Sequence, residues 1–130
     1  MASKRSLDYE RSVFINCPFD PPYKPLLDAA VFAVLDCGFI PRCALEKSDS
    51  GTVRIEKIFR IIEDCKFGIH DISRTELDPD HRLPRFNMPF ELGIFLGARH
   101  FGNGAQHAKE CMIVDTESQR YQEFISDISG

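Results

Sequence analysis

The 130-residue sequence contains no tryptophan, no closely spaced cysteine pair and no apolar run of membrane-spanning length. Its most apolar stretches, Leu26 to Leu35 and Met88 to Ala98, fall well short of the ~20 residues that a helix needs to cross a bilayer. No membrane partner is expected. The five cysteines are odd in number and lack a C-x-x-C spacing, so they read as reduced, mostly buried thiols and not as a disulfide frame or a zinc site. No metal is expected. An excess of positive charge is also missing: the net charge of -4 gives no broad field to attract a nucleic-acid polymer, although one or two local arginines suffice for a small anion. The charged opening residues run into no apolar segment, so no secretory signal is expected and a cytoplasmic location is the default. The sequence shows neither an internal repeat nor a low-complexity segment.

What remains is a hydrophobic content of 43% with 28% charged residues, enough for a core within a soluble surface. The length suits one domain. Residues 1-11 are expected to be a flexible lead-in and residues 12-130 a single domain. Val13-Phe14-Ile15 predicts a strand, and the apolar period from Tyr23 to Cys37 predicts a helix closed by Gly38. Phe39 to Leu45 predicts a second strand and Lys47 to Gly51 a loop. Ile55, Ile58, Phe59 and Ile62 mark an amphipathic helix. Phe67 to Ile72 predicts a third strand, followed by a long polar loop from Arg74 to Arg85. Phe90 to Phe101 is apolar nearly all round and predicts a central, buried helix, with Gly93 and Gly97 where it would approach a sheet. Cys111 to Val114 predicts a fourth strand and Tyr121 to Ile128 a last helix.

Strands alternating with helices predict a three-layer α/β/α fold of flavodoxin-like or Rossmann-like type, with a parallel sheet of four to five strands and helices on both faces. Ligands of such sheets bind outside the carboxyl ends of the strands, at a switch in strand order. The loops to inspect are therefore Asn16 to Pro22, Glu46 to Thr52 and Asp71 to Asn87.

Glu91 is the only charge between Phe86 and Ala98. With Met88 as N-cap and Pro89 at N1 it would fall at N3, where a carboxylate suits the helix dipole. The same position points it into the ligand crevice, where a carboxylate can attack or stabilise a ribosyl carbon that develops positive charge. Asp71 stands where a carboxylate accepts from ribose hydroxyls or closes an Asx-turn. Strand alternation turns His70 to the opposite face, as a satisfied core histidine. Asn87 suits a sugar hydroxyl, a base edge or a helix end, while Arg42, Arg54 and Arg85 suit either a phosphate or solvent. Arg54 gains from the helix start beside it. Cys17 is the one cysteine in a candidate loop, with no activating histidine near it in sequence. His100 and His107 show no metal spacing.

Phe14-Ile15-Asn16-Cys17-Pro18-Phe19, His70-Asp71-Ile72-Ser73 and Phe86-Asn87-Met88-Pro89-Phe90-Glu91-Leu92-Gly93 together resemble the nucleoside 2-deoxyribosyltransferase and TIR-like superfamily, over roughly Ser12 to Val114. The deoxyribosyltransferases carry a Gly-Pro-Phe loop after the first strand and a catalytic glutamate in a Glu-x-Gly helix start, and TIR domains place a catalytic glutamate before a leucine in a comparable helix. Here Asn16-Cys17 stands where the deoxyribosyltransferases have Ala-Gly, and the Trp-Cys pair of the TIR signature is absent. The resemblance implies cleavage or transfer of an N-glycosidic bond in a nucleotide or nucleoside, with NAD or another nucleotide as substrate or ligand and no separate cofactor. Glu91 would be the essential carboxylate and Asp71 its catalytic companion. Asn16, Cys17, Pro18, Phe19, Arg42, Arg54, Ser73 and Asn87 would contact the ligand. It also implies a role in bacterial defence. The alternative is a non-catalytic nucleotide-sensing or protein-interaction module of the same fold. Four strands, where such folds commonly have five, suggest a minimal domain or a fragment. They would leave the Cys111 to Val114 strand as an edge that invites pairing with a second copy as a homodimer or higher assembly.

Overall fold

The computed structural model describes residues 4-46 and 53-128. The loop expected at Lys47 to Gly51 lies outside the described residues. The elements in chain order are α1 (Lys4–Tyr9), β1 (Ser12–Asn16), α2 (Lys24–Asp36), β2 (Ile40–Arg42), α3 (Arg54–Glu63), β3 (Phe67–Asp71), α4 (Asn87–Phe101), β4 (Glu110–Val114) and α5 (Tyr121–Phe124). The four strands form one all-parallel sheet of order β2-β1-β3-β4. This is the expected α/β architecture. The strand order reverses between β1 and β3, which puts the crevice beside the carboxyl ends of those two strands.

Side-chain alternation divides the sheet into two faces. Val13, Ile15, Phe67 and Ile69 pack toward Val34 of α2, and Phe14 packs with Ile58, Ile61 and Ile62 of α3 and Phe95 of α4. Ile72, Met88 and Leu92 extend the second core toward α5. α2 ends as its sequence dictates. Gly38 adopts φ +83°, its N–H donates to Leu35 and that of Phe39 to Val34, which closes a Schellman motif that a side chain at Gly38 would strain.

Several expectations about individual elements are corrected. Residues Lys4–Tyr9 are helical where a flexible lead-in was expected, and Tyr9 is buried with its hydroxyl donating to the Ala105 carbonyl at 2.6 Å. The amphipathic α3 buries Ile61 and turns Phe59 outward. α4 is not buried all round: only Met88, Leu92 and Phe95 are, while Phe86, Phe90 and Phe101 are exposed. Gly93 and Gly97 lie on its open side with nothing within 4 Å of where a Cβ would stand. The close approach falls instead at Gly68 of β3, where a Cβ would come within 3.0 Å of the Phe95 ring. The last helix is also shorter than expected, ending at Phe124 before a single turn at Ser126–Ile128.

Among the described residues no helix is long and apolar enough to cross a membrane.

Candidate functional site

α4 begins at Asn87, with Phe86 as N-cap and the first helical bond running from Phe90 N–H to the Phe86 carbonyl at 3.0 Å. Glu91 is therefore the fifth helical residue and not the third. Its position is past the free N–H groups of the first turn, so it is not a cap. The carboxyl faces a cavity of about 390 Å³ lined by the loop after β1 (Cys17, Pro18, Phe19 and Asp20), Leu45, Arg54, Arg85 and the start of α4. That volume lies in the range of small-molecule sites.

Burial pushes the Glu91 carboxyl up to about 7, and Arg54 across the cavity opposes the rise. A carboxyl poised near neutrality in a concave site is the kind of group that active sites use. Arg54 and Arg85 are both exposed; Arg85 comes within 3.8 Å of Asp78. Asp20 is engaged: Arg74 donates to its two oxygens at 2.6 and 3.0 Å, which holds its carboxyl below the ordinary range. Glu91 and the two arginines thus face a shared space whose other carboxylate is already paired.

Asp71 is not in this cavity. By strand alternation it faces α2, where Tyr23 donates to one carboxylate oxygen at 2.5 Å and Ser73 N–H to the other at 2.9 Å. It lines a second cavity of about 380 Å³ with Tyr23, Ser73 and Asp115. Burial and the Asp71 carboxylate raise the Tyr23 phenol above its usual range. Cys17 lines both cavities, at the divide between the two faces. Burial, with Cys43, Asp71 and Glu91 nearby, pushes its thiol to about 12, which leaves it protonated at neutral pH and unsuited to nucleophilic attack.

The ten site residues expected from the sequence therefore separate into three groups. Glu91, Cys17, Pro18, Phe19, Arg54 and Asn87 share the first cavity, and Asn16, Asp71 and Ser73 line the second. Arg42 is in neither. Its guanidinium is held by Glu46 at 2.7 Å and approaches Asp64 at 3.7 Å, so it braces the end of β2. Asn16 is buried, and both hydrogens of its amide are committed inside the protein, to the Met88 carbonyl at 2.8 Å and to His70 Nδ1 at 2.9 Å. His70 is fully buried as expected but only half satisfied. Its Nε2 has no hydrogen-bond partner among the described residues and the ring sits edge-on to Phe14 and Phe95; burial pulls it down to about 4.

Sequence reasoning missed Asp20, Leu45 and Met88 as wall residues, and Tyr23 as the partner of Asp71. Asp20 directly follows Pro18-Phe19 and was the most accessible of these. Its pairing with Arg74 spans 54 positions and leaves no local trace. Among the described residues no cluster of three His, Cys, Asp or Glu is placed to hold a metal ion. Compared with protein-family models, curated proteins and solved structures, the chain finds no significant match.

Proposed function

We propose that the protein cleaves or transfers the N-glycosidic bond of a nucleotide, with Glu91 as the essential carboxylate. The observation that carries this is a half-buried carboxyl, raised to about 7, facing a cavity that also presents Arg54 and Arg85. The ionised Glu91 attacks, or stabilises, the anomeric carbon as the carbon–nitrogen bond breaks, and the base leaves with the electron pair. Water or an acceptor nucleoside then takes the glycosyl group. Arg54 and Arg85 suit the phosphate of the donor. Asn87, at the mouth of α4, suits a sugar hydroxyl.

Two-carboxylate glycosidases set their acid and their nucleophile on either side of one bond. Here Asp71 lies on the other face of the sheet and Asp20 is paired with Arg74. A single free carboxylate in the cavity among the described residues favours a leaving base that is already cationic and needs no proton on departure, such as a pyridinium. NAD is therefore the first donor to test, ahead of purine nucleosides. The resemblance of the three motifs to the deoxyribosyltransferase and TIR-like superfamily supports the same reading, including a place in bacterial defence. Self-association belongs to it too, because β4 has no outer partner strand among the described residues. Light scattering that finds only monomer at about 100 µM removes that part, since a dimer this weak would play no role at ordinary concentrations.

The experiment is chromatographic detection of free base after incubation with NAD and with a panel of deoxynucleosides, for wild type and Glu91→Gln. Base release by wild type, lost in the amide variant, supports the proposal. Nucleotide-dependent thermal stabilisation with no release from any donor makes the protein a sensing module instead.

A further inference from the structure

We infer that Asn16 and His70 form a buried latch that positions the Glu91 carboxylate, so that Asn16 acts through α4 and not on the ligand. The catalytic arm of this inference rests on the function proposed above. The latch itself stands on geometry.

The β1–β3 register sets Asn16 beside His70, on the α4 face and at the carboxyl edge of the sheet. One amide hydrogen of Asn16 goes to the Met88 carbonyl and the other to His70 Nδ1. Because Nδ1 accepts, the imidazole proton resides on Nε2. That nitrogen occupies space left by Gly68, where a Cβ would stand 2.5 Å from it. Asn16 and His70 are both almost wholly shielded from solvent, so no water competes for these bonds.

Met88 is the second residue of α4 and also a wall residue of the Glu91 cavity. Its carbonyl lies one residue short of a full turn before Glu91. The remaining contacts of α4 with the sheet are apolar, through Leu92 and Phe95, and apolar contacts fix distance better than they fix position along a helix axis. The Asn16 bond is directional. It pins the helix start along that axis and with it the depth of Glu91 in the cavity. The latch also retains two buried atoms without a partner among the described residues, Asn16 Oδ1 and His70 Nε2, an arrangement that an apolar pair of the same shape would avoid.

The test is a titration of the Glu91 carboxyl by carbon-13 NMR, alongside steady-state kinetics, in wild type, Asn16→Leu and His70→Phe. Among the described residues the charged and titratable groups facing Glu91 are Arg54 from α3, Arg85 before α4, and Asp20 and Cys17 after β1, and neither variant alters one or adds another. Asn16→Leu is close in shape, has no hydrogen to give the Met88 carbonyl and brings no charge. It is expected to move the Glu91 midpoint toward the ordinary carboxyl range, and to lower kcat on the order of 10- to 100-fold with KM changed less than about threefold, as displacement of a catalytic group does. His70→Phe removes the acceptor and leaves the Met88 bond, and a smaller change in the same direction is expected. An unchanged Glu91 midpoint in a folded Asn16→Leu overturns the inference. So does unfolding of both variants, which makes the pair a general support of the fold. The titration needs no substrate, so an inactive wild type with a shifted Asn16→Leu midpoint rejects the proposed function and keeps the latch.

Discussion

At the scale of single residues, Glu91 links the proposed chemistry to a measurable cost. Its carboxyl titrates near 7 in the folded protein and near 4.5 when exposed, with burial as the main cause. Below pH 4.5 both states are protonated and the group is neutral toward folding. Between 4.5 and 7 the unfolded state ionises first and stability falls; above 7 the penalty is fully present. Glu91→Gln removes the titration. It is expected to match wild type at pH 4 and to exceed it at pH 8 by on the order of 1–3 kcal/mol, a value set by the size of the shift and reduced by partial exposure. Urea unfolding at the two pH values checks this. An amide variant less stable than wild type at pH 8 shows that the carboxylate is compensated by Arg54 and is not strained. If the reaction needs ionised Glu91, kcat/KM rises with pH through about 7.

At the scale of elements, the glycines separate two kinds of surface that one sequence signal had merged. Gly93 and Gly97 lie in helical backbone with open space around them, so alanine at either adds helix propensity without a clash. Each is expected to stabilise by about 0.5–1 kcal/mol, seen as a rise of several degrees in melting temperature. Gly68→Ala is expected to act oppositely, by about 1–3 kcal/mol, because its methyl group meets both His70 Nε2 and the Phe95 ring. Calorimetry on the three variants is sufficient. The contrast also shows why the sequence was legible in part. α3 alternates isoleucines with Glu56, Lys57, Arg60 and Glu63, so its existence could be read, although Ile61 and not Phe59 faces inward. α2 and α4 have little polar contrast around their circumference, so their lengths were readable but their buried faces were not. The start of α4 moved because its N-cap, Phe86, makes no side-chain capping bond that a pattern would register, and that two-residue shift took Glu91 out of the cap position. Asp71 failed as a companion of Glu91 for a simpler reason. Both stand at the carboxyl edge, but the parity of β3 sends Asp71 to the α2 face while α4 covers the other.

At the scale of the whole molecule, the two edges of the sheet do different work. The carboxyl edge holds the cavities of Glu91 and Asp71. The amino edge holds Lys109, fully buried just before β4, with its ammonium donating to the carbonyls of Ile62 and Cys65 and lying 4.9 and 5.1 Å from the Tyr9 and Phe95 rings. One side chain thereby joins α1, the end of α3, α4 and the start of β4, a charge at a helix C-terminus where a cation is favoured. Burial pulls its amine down to about 8 from 10.5. Lys109→Met leaves the two carbonyls without their donor, and a loss of about 1–3 kcal/mol is expected at pH 7. The loss grows as pH rises from 8 to 10.5, because over that window the folded wild type sheds its proton first and is relieved of the buried charge. Per folded molecule, the variant should keep the wild-type Glu91 midpoint and turnover, since Lys109 sits at the opposite end of the strands from both. Urea unfolding and the Glu91 titration together check it. A shifted midpoint in Lys109→Met shows that the amino edge controls the site through Phe95 and α4, and the separation of a stabilising edge from a reactive one is then wrong.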